Sequence, residues 1–208
     1  SDVCSSDLGA MQAEPSPFHI DDILRQLKLE FEPQARNKSL KLIFVPCSLT
    51  VTSDRRLLRR LLQNLISNAI KYTPSGEVLV GCRRHGHKVR IEVWDTGLGI
   101  PADKQDAIFR EFERLPQAAK TARGLGLGLS IVERLARVLD CPVTLRSAPG
   151  KGSVFSVEVP LAKGDLTLAP RRQRLSPVTT HEPLAGLRIL AIDNEPRILE
   201  GMETLLSG

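Results

Sequence analysis

Hydrophobic residues recur at two spacings along this chain, and the changes of spacing mark out its elements. Leu24, Leu27 and Phe31 fall along one side of a helix that Asp21 or Asp22 can cap and that runs toward Asn37. A short extended segment, 18–20, precedes it. Residues 40–45 alternate loosely as a strand ended by Pro46, and 49–52 form another extended piece. Ser53 or Asp54 can then cap a long helix in which Leu57, Leu58, Leu61, Leu62, Leu65, Ile66, Ala69 and Ile70 form one wide apolar face. Such a face requires deep packing. Pro74 and Gly76 stop that helix.

The period then shortens to two. Val78, Val80 and Cys82 alternate with Leu79 and Gly81, and His85-Gly86-His87 turns the chain. In the returning strand Val89, Ile91 and Val93 share one parity, with Arg90, Glu92 and Trp94 on the other. Continuing that parity turns Asp95 inward, where a carboxylate needs a donor. After Pro101 come short helical pieces with Phe109 and Phe112, then a polar stretch over 116–123. Gly124 to Gly128 opens a helix with Leu127, Ile131 and Leu135 at i, i+4 and i+8. Val143 and Leu145 alternate, residues 149–152 turn, and 153–159 form a last strand before Pro160. Residues 162–185 read as a Pro-, Arg- and Thr-rich linker, followed by a buried-type strand over 187–192 and a new helix start. No internal repeat is present.

Several residues in these elements bear chemistry. Asn64 and Asn68 are four apart, so their amides lie on one helix edge, which Lys71 and Tyr72 extend by a turn. An Asn oxygen can serve a hard cation such as Mg²⁺; equally, two such Asn form an ordinary solvent-facing stripe. Asp95 at a strand end can accept from the amino group of a purine, and Gly97 and Gly99 let the backbone approach the base; taken alone, Asp-x-Gly is also a plain turn. Gly124, Gly126 and Gly128 stand where free N–H groups and the helix dipole favour phosphate, in neither the Walker nor the dinucleotide pattern.

In their order along the chain, Asn64-Leu-Ile-Ser-Asn68-Ala-Ile-Lys71-Tyr72, Asp95-Thr-Gly97-Leu-Gly99-Ile, Phe109 to Phe112 and Gly124-Leu-Gly126-Leu-Gly128 resemble the N, G1, F and G2 boxes of sensor histidine kinases. Their ATP-binding domain belongs to the wider GHKL ATPase family. The resemblance spans 18–161. It implies an α/β fold, a two-layer sandwich of the Bergerat type, with a mixed sheet covered on one face by three main helices. It implies ATP and Mg²⁺ as ligands, Asn68 on the metal, Asn64 in support, Lys71 balancing phosphate charge and Tyr72 along the nucleoside. Asp95, Gly97 and Gly99 would hold adenine, assisted by Ser153. Lys120 and Arg123 in the lid would reach phosphates together with Gly124, Gly126 and Gly128, and Phe109 and Phe112 would anchor the lid, which is expected to be mobile without ligand. Chaperone, gyrase and mismatch-repair relatives place a Glu where Asn64 stands. An amide cannot act as a general base, so Asn64 favours a transferase over an efficient ATPase.

The same resemblance shows what lies outside. Histidine kinases phosphorylate a His on a dimerisation domain, and none of His19, His85, His87 or His181 has a fitting context. That domain, and with it homodimerisation, is expected before Gly9, with 9–17 as its last connector. Residues 1–8 look like a translated sequencing adapter rather than native protein. Residues 186–208 resemble the first strand and helix of a response-regulator receiver, with Asp193 and Asn194 at its acidic pocket; cut short, that piece is expected to be loosely held. A hybrid histidine kinase follows, partnered by its own receiver or a cognate regulator. Two other readings stand beside it: a GHKL serine kinase or ATPase, and a degenerate nucleotide sensor.

Composition alters this little. No apolar run approaches the roughly 20 residues of a membrane span, so a cytoplasmic fragment without membrane contact is expected. The net charge of +5 comes from arginine clusters without interleaved aromatics, which argues against nucleic acid. Cys4, Cys47, Cys82 and Cys141 form no C-x-x-C pair, and four reduced thiols are expected.

Overall fold

The computed structural model describes residues 12–105, 107–109 and 128–162. The chain divides into two units, Ser1–Leu166 and Thr167–Gly208, and the described residues all belong to the first. Its elements are β1 (Ser16–His19), α1 (Ile20–Asn37), β2 (Lys41–Phe44), β3 (Thr50–Ser53), α2 (Arg55–Tyr72), β4 (Glu77–His85), β5 (Lys88–Asp95), two single 3₁₀ turns (Ala102–Lys104 and Ala107–Phe109), α3 (Gly128–Val138), β6 (Val143–Ala148) and β7 (Gly152–Pro160).

Five strands form a mixed sheet in the order β2-β4-β5-β7-β6, while β1 and β3 pair apart as an antiparallel ribbon. Only β2 and β4 run parallel; the other neighbours in the sheet are antiparallel. The period-two reading of the strands holds. Val78, Val80, Val89, Ile91, Val93, Val157 and Val159 are buried against Leu58, Leu61, Leu62, Leu65 and Ile66 of α2 and against residues of α1 and α3. Hydrophobic burial on this one face holds the two layers together. The opposite face carries charge and an exposed indole: Arg146 lies over the Trp94 ring at 5.6 Å, and Arg83 pairs with Glu92 at 3.2 Å.

Four expectations are corrected. The extended segment before α1 spans Ser16–His19 rather than 18–20, because it pairs residue for residue with β3. α1 therefore starts at Ile20, two or three positions ahead of a helix capped by Asp21 or Asp22, with His19 at its cap and no side-chain cap bond. Asp21 and Asp22 sit in the first turn, where they still favour the positive end of the helix. In α3 the buried positions are Ser130, Val132, Leu135 and Ala136, so Ile131 is half-buried beside the stripe. Finally, Cys47 and Cys82 form a disulfide with Cα atoms 6.3 Å apart, which overturns the expectation of four reduced thiols. The parallel pairing explains it. The Val45 N–H bonds Val80 O at 2.8 Å, so the loop after β2 is carried alongside Cys82. Cys141 is a buried free thiol.

Candidate functional site

α2 is the central element of the site, and both its ends are firmly satisfied. At its start Asp54 accepts from the N–H groups of Arg56 (2.9 Å) and Leu57 (3.1 Å). At its end the Lys38 ammonium donates to Ile70 O (2.8 Å) and Lys71 O (2.9 Å), while the Thr73 hydroxyl donates to Ala69 O (2.7 Å). Burial in that position holds the Lys38 pKa below its usual value. The helix thus presents its Asn64–Tyr72 edge at a fixed height. Asn64 Nδ2 donates to Arg60 O at 2.8 Å, and Lys71 Nζ lies 5.0 Å from the centre of the Tyr72 ring.

Asn68 meets a second element. A Cβ placed on Gly128, the first residue of α3, would stand 3.1 Å from Asn68 Nδ2 and 3.2 Å from its Oδ1. The missing side chain is what lets the start of α3 close on this amide.

The loop after β5 closes on the other end of α2. Leu98 N–H bonds Tyr72 O at 3.3 Å, and a Cβ on Gly97 would come to 2.5 Å from that same oxygen. Gly97 N–H donates to Asp95 Oδ1 at 2.8 Å. Gly99 has φ +68°, and any Cβ there would collide with Ala148 O. The turn between β6 and β7 is held to this loop by Gly150 N–H on Leu98 O (2.8 Å) and Ile100 N–H on Ser147 Oγ (2.8 Å).

Asp95 stands opposite Ser153 in the β5–β7 register. Desolvation by burial raises its pKa, and the Gly97 N–H together with the Ser153 N–H and hydroxyl pull it partly back. An inward carboxylate that its neighbours only partly compensate can take a further donor. The parity reading of β5 foresaw that placement.

Ser153 and Gly97 therefore gather around Asp95, Gly99 closes on Ala148 of the neighbouring turn, and Gly128 gathers against Asn68. Phe109 packs edge-on to Phe155, with centroids 6.5 Å apart. Phe112, Lys120, Arg123, Gly124, Gly126, Asp193 and Asn194 lie outside the described residues, as do the expected lid and receiver strand. A separate cleft of about 430 Å³ is lined by Phe109, Glu133, Ala136, Arg137, Asp140, Cys141, Pro142 and Val143. Of the expected site residues it contains Phe109 alone. Burial, then the Asp140 charge, pushes the Cys141 thiol there up to about 12, so it is unreactive.

Sequence reasoning missed four participants: Lys38, Thr73, Ser147 and Gly152. Ser147 was within reach, because it continues the inward parity of Val143 and Leu145 as a polar residue. Lys38 acts through contacts that no local pattern encodes, whereas Thr73 bonds back four residues to Ala69 O at the helix end. Gly152, at φ +81°, admits the backbone of Asp95, whose carbonyl a Cβ would strike.

Comparison with known proteins bears on the family and the fold. Residues 53–163 match the family model described as histidine kinase-, DNA gyrase B-, and HSP90-like ATPase. The autoinducer 2 sensor kinase/phosphatase LuxQ of Vibrio parahaemolyticus serotype O3:K6 is 31% identical over 207 residues, covering 93% of this chain and 24% of that protein. The aerobic respiration control sensor protein ArcB of Escherichia coli K12 is 35% identical over 155 residues, covering 72% of this chain and 20% of its own length. Among solved structures, full-length ShkA in complex with AMPPNP superposes with a TM-score of 0.67 at 32% identity, over 76% of this chain and 34% of that one. The nucleotide-free catalytic domain of the histidine kinase ThkA gives 0.62 at 28%, over 71% of this chain and 96% of that domain. The chain thus spans about a quarter or less of the curated relatives named here. Its matched segment covers more than half of its residues, and the chain belongs to the family of histidine kinase-, DNA gyrase B- and HSP90-like ATPases, in the form carried by sensor histidine kinases.

Proposed function

We propose that residues 18–161 are the MgATP-binding catalytic domain of a hybrid sensor histidine kinase, which transfers the γ-phosphoryl group to a histidine on a dimerisation domain outside this chain. One observation carries the reading. α2 is met at one end by the Asp95 loop, through Tyr72 O, and along its edge by the start of α3, through Asn68 and Gly128. A base-accepting carboxylate and a phosphate-facing helix start are therefore joined by a single rigid helix. That is the spacing problem a nucleotide poses: an aromatic base at one end and a polyanion at the other.

The donor set suits Mg²⁺. Among the described residues no group of three or more His, Cys, Asp or Glu could cage a metal. Mg²⁺ keeps most of its waters and takes one or two protein oxygens together with substrate phosphates. Asn68 would supply such an oxygen, Asn64 would support it, and Lys71 would offset phosphate charge. When bound, the ion would neutralise charge on the transferring phosphoryl group. Asp95 accepts the amino group of adenine, with Gly97, Gly99 and Ser153 shaping its surroundings. Lys120, Arg123, Gly124 and Gly126 complete the phosphate side, and Phe109 and Phe112 anchor the lid. Asn64, unable to take a proton, leaves the site waiting for a nucleophile from another domain.

The AMPPNP complex of ShkA supports nucleotide binding by analogy. The 93% coverage in the LuxQ alignment exceeds what 18–161 supplies alone, which supports reading 186–208 as the start of a receiver with Asp193 and Asn194 in its pocket. A ThkA structure contains the response regulator TrrA, which supports such a regulator, or the chain's own receiver, as a partner here. Among the described residues no helix is long and apolar enough to cross a membrane.

Titration with a fluorescent ATP analogue, with and without Mg²⁺, tests the reading. The wild-type chain binds in a Mg²⁺-dependent manner. Asn68→Ala weakens binding about tenfold in Mg²⁺ and little in its absence, and Asp95→Asn loses the preference for adenine over guanine. Mg²⁺-independent binding would point instead to a degenerate nucleotide sensor.

A further inference from the structure

Ser147 makes as many bonds as one hydroxyl can serve, and two of its three partners compete for its single hydrogen. Its Oγ accepts from Ile100 N–H at 2.8 Å, stands 2.9 Å from Gly152 O, and stands 2.9 Å from Ser153 Oγ. Its own carbonyl accepts from Gln105 Nε2 at 3.0 Å, and the same amide group reaches Ile100 O at 3.1 Å. The residue is therefore held from both sides between the loop that follows Asp95 and the turn that precedes Ser153.

Proton counting decides what such a residue does. A serine hydroxyl has one hydrogen and two lone pairs. The Ser147 hydrogen can go to Gly152 O or to Ser153 Oγ. In the first case Ser153 must turn its own hydrogen toward Ser147, and the Asp95 carboxylate loses a hydroxyl donor. In the second, Ser147 donates to Ser153, which is then free to donate to Asp95. An ionised carboxylate polarises the donors in line with it and selects the second arrangement. A protonated carboxyl does not. Ile100 N–H occupies a Ser147 lone pair in both cases, so the hydroxyl is oriented rather than free to spin.

We propose that Ser147 is a positioning residue for purine recognition: it aims the Ser153 hydroxyl at Asp95, which keeps that carboxylate an acceptor and makes the site select a 6-amino over a 6-oxo purine. This rests on the nucleotide-binding reading above. With the chain of donors intact, Asp95 accepts the amino hydrogen of adenine and repels the carbonyl of hypoxanthine. Without Ser147, Ser153 loses the donor that orients and polarises its hydroxyl, and it donates less strongly to Asp95. Asp95 then holds a proton more readily, and a protonated carboxyl can donate to a 6-oxo group. A residue that merely braced the turn would, on removal, weaken both purines alike.

The test is competitive binding of ATP and ITP to the 208-residue chain in Mg²⁺. The wild type prefers ATP. Ser147→Ala binds ATP about tenfold more weakly while ITP is held as well as before or better, so the preference narrows by at least that factor. Ser147→Thr, which keeps the hydroxyl, restores the preference. If the alanine variant does not fold, Ser147→Cys, whose thiol is a weak donor, takes its place in the same measurement. An unchanged ATP/ITP ratio, or an equal loss of both nucleotides, overturns the role of Ser147 alone. A wild-type chain that binds neither nucleotide overturns the functional reading and this inference with it.

Discussion

At the scale of single residues, the site depends on side chains that are missing as much as on those present. Gly128 shows how binding separates from stability. Replacing it with Ala removes a helix-start glycine, which by propensity alone stabilises by up to about 1 kcal/mol. The new methyl would also stand 3.1–3.2 Å from the Asn68 amide and force it aside by a few tenths of an ångström. Gly128→Ala should therefore leave urea unfolding within about 1 kcal/mol of wild type, or raise it, while nucleotide affinity falls about five- to tenfold. Wild-type affinity would show that the Asn68–Gly128 contact is incidental. Asp95 was legible in the sequence because a strand has a strict period, and a polar residue on the buried parity stands out. Ser147 obeys the same rule on β6, yet serine is common enough in turns to hide there. Lys38, which closes α2 from 32 residues away in sequence, obeys no period at all.

At the scale of elements, α2 was the most legible because its apolar face is wide and its cap is explicit. Asp54 is almost fully buried, at 2% exposure, and also accepts from Glu14 N–H at 3.0 Å. Burial works against its charge, but the N–H groups of Glu14, Leu57 and Arg56 and then the Arg56 guanidinium outweigh it, and its pKa is lowered. A depressed folded-state pKa means that the ionised form stabilises the fold at pH values above the unfolded-chain pKa. That contribution is lost as pH falls through the folded-state value. Asp54→Ala should cost about 2 kcal/mol at neutral pH, at the upper end for a helix cap. Asp54→Asn keeps an acceptor and should cost less, with its deficit against wild type closing on acidification. Denaturant unfolding from neutral to strongly acidic pH reads both, and a deficit constant with pH would refute the charge argument. α1 and α3 were read less well for contrary reasons. Pairing of β1 with β3 starts α1 ahead of the expected Asp21 or Asp22 cap, with no side-chain cap to signal it. In α3, contact with both α2 and the sheet shifts the buried stripe to Val132 and Ala136, away from the expected spacing.

At the scale of the molecule, the mixed sheet with helices on one face followed from the alternation of amphipathic helices and period-two strands together with the family resemblance. The Cys47–Cys82 bond did not, because it joins a loop to a strand across a parallel pair, and sequence carries no marker for which strands lie side by side. The whole molecule also sets the sign of the conflict at Asp95. Its pKa is raised, first by desolvation, so its ionisation opposes folding: stability is greatest below the unfolded-chain pKa and declines as pH rises through the folded-state value. The ionised form of Asp95 is therefore one that the free chain would be more stable without, and a ligand's amino hydrogen would relieve it. Asp95→Asn removes the charge while keeping an oxygen for Gly97 N–H. The variant should melt a few degrees above wild type without nucleotide. Saturating MgATP should raise the wild-type midpoint, by mass action, by about 2.7 kcal/mol of stability at a hundredfold excess over Kd, and the variant's much less. The two melting curves should thus exchange order when nucleotide is added, as measured by scanning calorimetry with and without MgATP. A variant less stable than wild type in the absence of ligand would mean that Asp95 is a structural carboxylate, already satisfied by Gly97 and Ser153, with nothing left to offer a purine.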